Sequence, residues 1–344
     1  LLGILAFGLI LYLGGLQAWQ QIIQADWRFV LGAFVATLLW NLVAAYRWSL
    51  IANQVIEFTE PCPYRYYFTY QMIGMLTGQV LPITVGMLGG RPVALSLSRG
   101  VSLKRSALSV FVDKLFDLIL AVLLVVPVAL FLAGGISRYL AFGLMASIVI
   151  IGAMVIGLRY EPVMRLLGLV GSRGARVLSH LPVVGPKLAG RLPQQVDNLA
   201  SRSLLPNRLA LQAFLLTIVN YTLLSLRLIF IAEALHLDIP WYLLAMGVCV
   251  TQLALIFTVT PGSLGFLEGG WAAVLGLAGL SLEQFTTFVI GRRAFVLVFT
   301  LIDTLIAFAW IRESPAHLFR AVISASRQPA REGDQKGNPS EVVK

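Results

Sequence analysis

The stretch TPGSLGFLEGG, residues 260–270, decides how this chain is expected to fold. It lies between two apolar runs, TQLALIFTV before it and WAAVLGLAGL after it, of the kind that crosses a lipid bilayer. A proline, four glycines and the carboxylate of Glu268 stand where an uninterrupted apolar helix would satisfy every backbone group. The stretch therefore predicts a helix that is broken inside a membrane, at a place where polar groups are needed.

The composition of the whole chain is typical of a membrane protein. Of its 344 residues, 58% are hydrophobic and only 12% are charged, whereas soluble domains contain about 45–50% apolar and about 25% charged residues. The mean hydropathy is +0.84. Runs such as LILAVLLVVPVALFLAGG lack the alternation of barrel strands, so the spanning elements are expected to be helices.

Windows long enough to cross a bilayer core of about 30 Å predict an all-α polytopic membrane protein. The eight windows cover residues 1–16, 29–56, 64–81, 106–133, 138–158, 208–235, 240–260 and 285–311. Two further segments, 82–99 and 261–280, are apolar but interrupted, and we interpret both as re-entrant or broken helices. The membrane domain is predicted to cover residues 1–311, and the polar tail at 312–344 is expected to be disordered.

The chain also repeats itself. LPITVGMLGG at 81–90 and TPGSLGFLEG at 260–269 share the pattern P-x-[ST]-[VL]-G-[MF]-L-x-G. Extended without a gap, the same alignment places 41–118 on 220–297, which predicts two repeated units, parallel or inverted. Broken helices at corresponding places of two units are typical of a transporter site near the bilayer midplane. The motif residues are Pro82, Gly86, Gly90, Pro261, Gly262 and Gly265.

Two interpretations of these motif residues stay open. Glycines spaced four apart allow two helices to pack closely without any substrate. Pro82 and Pro261, however, remove a backbone donor at the same place in both units. The freed carbonyl groups and helix ends then need partners, which neighbouring helices, water or a ligand can supply.

Ionisable residues inside the predicted spans are the candidate site residues, because each costs roughly 2.5–3.5 kcal/mol to insert. They are Arg91, Asp113, Lys114, Asp117, Glu268, Arg292, Arg293 and Asp303, four positive and four negative. This balance predicts mutual pairing in the interior of the bundle. Arg47, Arg227 and Glu233 lie nearer the ends of spans and are interpreted as snorkelling anchors.

Helical spacing suggests specific pairs. Asp113 and Asp117 are four residues apart and share a helix face, and Lys114 lies three residues before Asp117. The equivalent positions of the second unit hold Arg292 and Arg293. We therefore expect Asp113 or Asp117 to pair with one of these two arginines.

Arg91 and Glu268 come from the two broken segments and are expected to meet each other. Two roles for the charged residues stay open at this stage. They form a static salt-bridge core that holds the two units together, or they line a cavity that lends Arg and Lys to an anionic headgroup.

The positive charge is concentrated in one connection. The net charge is +10, and residues 159–208 contain eight Lys and Arg residues interleaved with apolar ones. By the positive-inside tendency this connection faces the cytoplasm, as amphipathic helices on anionic lipid, and nucleic-acid binding is not expected. Two cysteines and three histidines, without ligand spacing, predict no disulfide framework, no metal site and no cofactor.

These motifs together resemble a known family. GMLGG with SLKRSALSVFVDKLFD, and PGSLGFLEGG with GRRAF, resemble the flippase-like membrane domain of lysylphosphatidylglycerol synthases and related stand-alone inner-membrane proteins. The resemblance covers about residues 41–311. It implies movement of a lipid headgroup across the bacterial cytoplasmic membrane, with aminoacylated phosphatidylglycerol, glycolipid and other amphiphile substrates proposed among relatives.

The resemblance assigns roles residue by residue. Pro261, Gly262, Gly265 and Glu268 match the second motif, Arg293 matches a late arginine, and Asp113, Lys114 and Asp117 match a charged helix that usually has Arg at the Lys position. The first motif departs from the family, because Arg91 and Ala94 stand where relatives tend to have an acidic residue and an Arg. No soluble acyltransferase domain follows residue 311, so the chain itself is not expected to synthesise an aminoacyl lipid.

We therefore predict a lipid translocase and not an enzyme. Its substrate would be an anionic, aminoacylated or glycosylated lipid headgroup, carried through a central charged cavity. No nucleotide-binding motif occurs, and Asp113, Asp117 and Glu268 are candidate proton carriers. Two alternatives stay open: a membrane-embedded transferase acting on lipid-linked substrates, and a non-catalytic partner of a lipid-synthesis enzyme.

Overall fold

The computed structural model describes residues 19–56, 58, 62–81, 86–179, 205–256, 260 and 262–311, and the structural statements below concern these residues. Helices are labelled in chain order. They are α1 (Trp27–Val55), α2 (Tyr64–Val80), α3 (Arg91–Arg99), α4 (Leu103–Leu132), α5 (Arg138–Ser179), α6 (Asn207–Ala234), α7 (Trp241–Ile256), α8 (Phe266–Trp271) and α9 (Leu282–Ile311). Short π-helical segments occupy Gly86–Gly90 and Ala272–Gly276.

The prediction of an all-α polytopic membrane protein is confirmed. Within the described ranges, α1, α4, α6, α9 and the Arg138–Leu158 part of α5 are long and apolar enough to cross a membrane. Two predicted spans are shorter helices, α2 with 17 residues and α7 with 16. Each of these two ends just before one of the interrupted segments. The predicted span at 1–16 lies outside the described residues.

Local sequence signals explain where helices begin and end around the site. The side chain of Asp26 caps α1 by accepting a hydrogen bond from the backbone N–H of Arg28 at 2.9 Å. Gly100 adopts φ +64° and ends α3, a left-handed conformation that favours glycine. This sharp turn folds α3 back against α4, which carries Asp113 and Asp117.

The bundle is held together by packing between helices that are distant in sequence. α1 packs along α6, α2 packs along α9, and α7 packs against α4 and α6. The largest hydrophobic core joins side chains of α4, α6, α7 and α9 and includes Phe116, Phe214 and Phe288. Trp271 of α8 lies in the same core, edge-on to Phe288 with ring centroids 5.1 Å apart.

Helix positions follow the sequence repeat. The alignment of the two motifs, which places Leu81 on Thr260, also places both ends of α4 on the ends of α9. It places the last residue of α1 on the last residue of α6, and the ends of α2 within one helical turn of the ends of α7. The two π-helical segments do not correspond, because the first precedes α3 and the second follows α8.

The two interrupted segments lie against each other. Pro82 and Pro261 are outside the described residues, but their neighbours make direct contact: the backbone N–H of Gly262 donates to the carbonyl oxygen of Leu81 at 3.1 Å. Gly262 has φ +57°, and a Cβ atom added there would lie 3.1 Å from the carbonyl oxygen of Gln79. Glycine is therefore required at 262 both by its backbone conformation and by the close approach of α2.

Close packing accounts for Gly86. A Cβ atom at this position would lie 2.4 Å from the backbone nitrogen of Gly78 and 2.6 Å from its Cα. The GxxxG interpretation therefore holds here, because the π-helical segment touches the α2 backbone directly. At Gly90, by contrast, the nearest atom to an added Cβ is the Thr77 hydroxyl oxygen at 3.1 Å.

The basic connection begins as a direct continuation of a span. α5 runs for 42 residues, so it extends beyond Leu158 to Ser179 without a break in its backbone. Residues 180–204 and the tail at 312–344 lie outside the described residues, and their predicted placement on the membrane surface and disorder stay predictions. Both cysteines, Cys62 and Cys249, are free and buried.

Candidate functional site

Most of the candidate charged residues form two ionic clusters. The first cluster consists of Arg47, Arg91, Asp113, Lys114 and Asp117, with Arg47 at its centre. The Nε atom of Arg47 donates to Oδ1 of Asp113 at 2.8 Å, and its two Nη atoms donate to Oδ1 and Oδ2 of Asp117 at 2.6 and 3.1 Å. This planar guanidinium therefore bridges two carboxylates one helical turn apart on α4.

Arg91 and Lys114 are the other two cations of the first cluster. Arg91 approaches Asp113 at 3.2 Å and lies over the ring of Trp48 at 4.2 Å, a cation–π distance. Lys114 donates to Asp117 at 2.8 Å. The Trp48 indole is held in turn by a hydrogen bond to the hydroxyl of Ser109 at 3.1 Å. Three cations thus surround two carboxylates, leaving a net charge of +1.

The second cluster consists of Glu268, Arg292 and Arg293. The Nε atom of Arg293 lies 2.5 Å from Oε1 of Glu268, whereas the nearest nitrogen of Arg292 lies 3.8 Å away from the same oxygen. The other carboxylate oxygen of Glu268 accepts from the backbone N–H of Gly265 at 2.7 Å, which caps α8. Arg293 also donates to the carbonyl oxygen of Gly262 at 3.1 Å, so it fixes the second broken segment to α9.

The predicted pairs between the two units are wrong. Asp113 pairs with Arg47 and Arg91, and not with Arg292 or Arg293. Glu268 pairs with the arginines of α9, and not with Arg91. In the first cluster, Arg47 and Arg91 stand on α1 and α3, which both pack against the α4 helix that bears Asp113. In the second, Arg292 and Arg293 of α9 reach Glu268 of α8 through their side chains.

The interpretation of Arg47 and Arg227 as snorkelling anchors is also wrong. Arg47 is only 1% exposed and Arg227 only 8% exposed, so neither reaches out to water or lipid headgroups. Both stand within two or three turns of a helix end, and distance from the end alone does not say whether a long side chain turns inward. Because Trp beside Arg is also typical of anchors at the membrane interface, no local sequence signal reveals that Arg47 faces inward. Glu233, in agreement with the interpretation, is exposed.

Asp303 stands apart from both clusters. Its carboxylate is fully buried and accepts a hydrogen bond from the side-chain amide of Asn41 at 2.7 Å. Among the described residues, no Lys, Arg or His forms an ion pair with it. The expected balance of four positive and four negative charges is therefore not how the interior is organised, because Arg47 and Arg227 add two cations and Asp303 has no cation partner.

A cavity of about 720 Å³ reaches both clusters. This volume falls within the usual range of about 300–1,000 Å³ for small-molecule sites. Both broken segments contribute to its wall, the first through Met87 and the second through Gly262 and Ser263, and Gly78 and Gln79 at the end of α2 line it as well. The ionic groups that line it are Lys114, Asp117, Arg227, Arg292 and Arg293, four positive and one negative.

Two of these cations lack a close carboxylate. Arg227 is stacked over the ring of Trp40 at 5.4 Å, and its Nε atom has no hydrogen-bond partner. Arg292 is 5% exposed, and its Nε and one Nη atom have no hydrogen-bond partner. The positive charges of Arg227 and Arg293 both repel that of Arg292. Buried guanidinium groups in this state favour an anion in the cavity.

Ser263 adds a neutral donor to the same wall. It is one of the described non-glycine residues with a left-handed backbone, at φ +59°, directly after Gly262. Its side chain is 1% exposed, and its hydroxyl has no hydrogen-bond partner. A strained residue with an unsatisfied hydroxyl, in the wall of the same cavity as two guanidinium groups that lack a close carboxylate, is characteristic of a binding site.

The sequence is similar to one described family. The model of the lysylphosphatidylglycerol synthase TM region matches residues 1–302. No curated protein and no solved structure matches the chain.

Proposed function

Because this chain belongs to the family of the lysylphosphatidylglycerol synthase transmembrane region, we propose that it is a translocase for anionic membrane lipids. The headgroup would enter the cavity at Arg227 and Arg292 while its acyl chains stay in the bilayer. The family and the multi-pass helical architecture support a lipid-related role in a membrane, and we infer the bacterial cytoplasmic membrane as its location.

The observation that carries the proposal is the charge of the cavity wall. Four cations and one carboxylate line it, and Asp117 is already bound by Arg47 and Lys114. A lipid phosphate brings the negative charge that Arg227 and Arg292 lack, and it offers oxygen acceptors to their unpaired N–H groups.

The two broken segments supply the polar wall that a headgroup needs. Their contact at Leu81 and Gly262 leaves backbone ends and the Ser263 hydroxyl beside the cavity. The agreement of helix positions with the sequence repeat supports the two-unit architecture in which such breaks face each other.

We infer a transporter and not an enzyme because the acidic side chains near the cavity are paired with cations. Asp113, Asp117 and Glu268 are each held by one or more cations, which suits an electrostatic scaffold better than a general base. Membrane lipids are accordingly its proposed partners.

The test is translocation of a fluorescent phosphatidylglycerol in liposomes that contain the purified protein. We expect wild-type protein to move the lipid between leaflets faster than protein-free liposomes. Loss of charge-assisted hydrogen bonds worth about 1.5–3 kcal/mol should slow Arg292→Gln by roughly 10-fold to 100-fold. Arg28→Gln, at an exposed position of α1, is the matched control.

Two outcomes would contradict the proposal. One is a wild-type rate equal to that of protein-free liposomes. The other is an Arg292→Gln variant as fast as wild type while Arg28→Gln is also unchanged. A chemical change of the lipid without movement between leaflets would favour a transferase instead.

A further inference from the structure

We propose that Asp303 and Asn41 form a proton-binding site through which lipid translocation responds to a pH gradient. The coupling to transport rests on the proposed function, whereas proton binding itself does not. The site lies where α1 and α9 meet, outside the cavity wall.

The first observation is the burial of both side chains. Asp303 and Asn41 are each 0% exposed, and they lie in two helices long and apolar enough to span a membrane. A carboxylate in such a place is costly unless it is paired or carries a proton. Asp113, Asp117 and Glu268 are paired with cations, so Asp303 is the buried acid of the described spans that a proton would neutralise.

The charged groups of the neighbouring helices leave Asp303 without a counter-ion. The ionisable side chains on the helices in contact with α9, and on α9 itself, are Arg28, Tyr46, Arg47, Tyr64, Arg65, Tyr66, Tyr67, Tyr70, Arg208, Tyr221, Arg227, Glu233, Glu283, Arg292 and Arg293. Within the part of the chain that the structure describes, none of them ion-pairs or hydrogen-bonds with Asp303. Its contact is the amide of Asn41.

The second observation is that each side chain of the pair has one oxygen atom without a hydrogen-bond partner. The amide nitrogen of Asn41 donates to Oδ2 of Asp303 at 2.7 Å, while Oδ1 of Asn41 and Oδ1 of Asp303 have no hydrogen-bond partner. A side-chain amide carries both a donor and an acceptor. The pair can therefore keep a hydrogen bond in either protonation state.

Proton binding reverses the direction of the hydrogen bond between Asn41 and Asp303. In the charged state, the Asn41 N–H donates to the carboxylate. When a proton adds to an oxygen of Asp303, the negative charge is cancelled, and the new O–H donates to the amide oxygen of Asn41 after the amide turns over. Threonine hydroxyls on the same helices, at 37, 300 and 304, donate to carbonyl oxygens of their own helices, so their protons are not directed at the free oxygen of Asp303.

The position of the pair connects it to the translocation site. Asn41 stands on α1 next to Trp40, which lines the cavity and whose ring contacts the Arg227 guanidinium. Asp303 stands two turns along α9 from Val296, which also lines the cavity, a separation of about 10 Å at 1.5 Å per residue. Removing the charge at Asp303 changes the bond that joins the helices bearing Arg47 and Arg292, and so it biases how these helices sit around the cavity.

Proton binding is tested directly by infrared titration of the purified protein in lipid. We expect wild type to show the carbonyl band of a buried protonated carboxylic acid, absent from Asp303→Asn and kept in Glu283→Gln, which neutralises an exposed acid at the start of the same helix. Asn41→Leu removes the amide donor, so its band should persist to higher pH. A wild-type band that survives in Asp303→Asn overturns the inference, as does a band in Asn41→Leu that titrates as in wild type.

Coupling is tested by the leaflet distribution of fluorescent phosphatidylglycerol in liposomes with a gradient of one pH unit. One proton per cycle permits an asymmetry of up to about tenfold. We expect wild type to build such an asymmetry, and Asp303→Asn to give a leaflet ratio near that of protein-free liposomes under the same gradient. Translocation by wild type that only equalises the leaflets, or that follows a sodium gradient, overturns the inference and leaves the proposed function standing. Absence of any lipid movement, with the infrared band present, overturns the proposed function and spares the proton site.

Discussion

Of two adjacent arginines of α9, only one is expected to stabilise the fold. Arg293 forms a 2.5 Å ion pair with Glu268 and holds the Gly262 carbonyl, whereas Arg292 comes no closer than 3.8 Å to that carboxylate. We therefore predict that Arg293→Gln destabilises the fold and that Arg292→Gln leaves it unchanged or makes it more stable. The two substitutions change the same residue type by the same chemistry, so each is the control for the other.

The magnitudes follow from what each substitution leaves behind. Arg293→Gln leaves the carboxylate of Glu268 buried without its close partner, a situation that costs about 3–5 kcal/mol. The lower end, about 3 kcal/mol, is expected because Arg293 is partly exposed and Arg292 remains nearby. Arg292→Gln removes a buried cation whose desolvation is poorly compensated, so the expected change lies between zero and a gain of about 2 kcal/mol.

Thermal unfolding in detergent, followed by size-exclusion chromatography of the soluble fraction, measures both effects. At about 2 °C per kcal/mol, the midpoint should fall by roughly 6 °C for Arg293→Gln and stay or rise by up to roughly 4 °C for Arg292→Gln. Equal destabilisation by the two substitutions would refute the reasoning, because Arg292 would then be a structural partner of Glu268. The same purified Arg292→Gln protein should translocate lipid more slowly, which separates a binding role from a stabilising one.

Three further predictions concern the clusters, the helix contacts and the cysteines. Arg47→Gln should lower the free energy of unfolding by about 3 kcal/mol, and adding Asp113→Asn to the same chain should restore part of that loss. A double-mutant cycle of melting midpoints measures this coupling. Strictly additive effects of the two substitutions would contradict the pairing of Arg47 with Asp113. Gly86→Ala should abolish a monodisperse chromatographic peak because its Cβ would lie 2.4 Å from the Gly78 nitrogen, whereas Gly89→Ala, with open space around it, should elute as wild type; equal profiles would contradict the contact. Burial raises the pKa of the Cys62 thiol above its ordinary value, so less thiolate is present at neutral pH. Maleimide should therefore label Cys62 more slowly than the cysteine introduced by Ser137→Cys, and the difference should shrink as the pH rises. Equal labelling rates, measured by mass spectrometry, would contradict this prediction.

Hydropathy was sufficient to predict the long spanning helices. α1, α4, α6 and α9 lie within a few residues of windows chosen for apolar length, because a bilayer accepts few alternatives to an apolar helix. The motif comparison likewise placed the two broken segments at corresponding positions of the repeat, and residues next to the two prolines, Leu81 and Gly262, are in contact. Both inferences depend on local patterns, which a sequence displays directly.

The pairing of charges could not be predicted in the same way. Which carboxylate meets which guanidinium depends on the rotation of each helix about its axis and on its neighbours. Arg47 reaches Asp113 across 66 positions of sequence, and no spacing rule connects them. Counting charges was misleading for the same reason, since a balance of four and four concealed two inward-facing arginines and an acid without a cation.

The central claim is that the arginines of the cavity that lack a close carboxylate select an anionic lipid headgroup. It is tested most directly by the ratio of translocation rates for fluorescent phosphatidylglycerol and phosphatidylcholine in the same liposomes, for wild type and for a variant with both Arg227→Gln and Arg292→Gln. We predict a wild-type ratio of roughly ten or more and a ratio near one in the double variant, since each lost charge-assisted bond is worth about 1.5–3 kcal/mol. A preference for the anionic lipid that persists unchanged without the two arginines would contradict the claim.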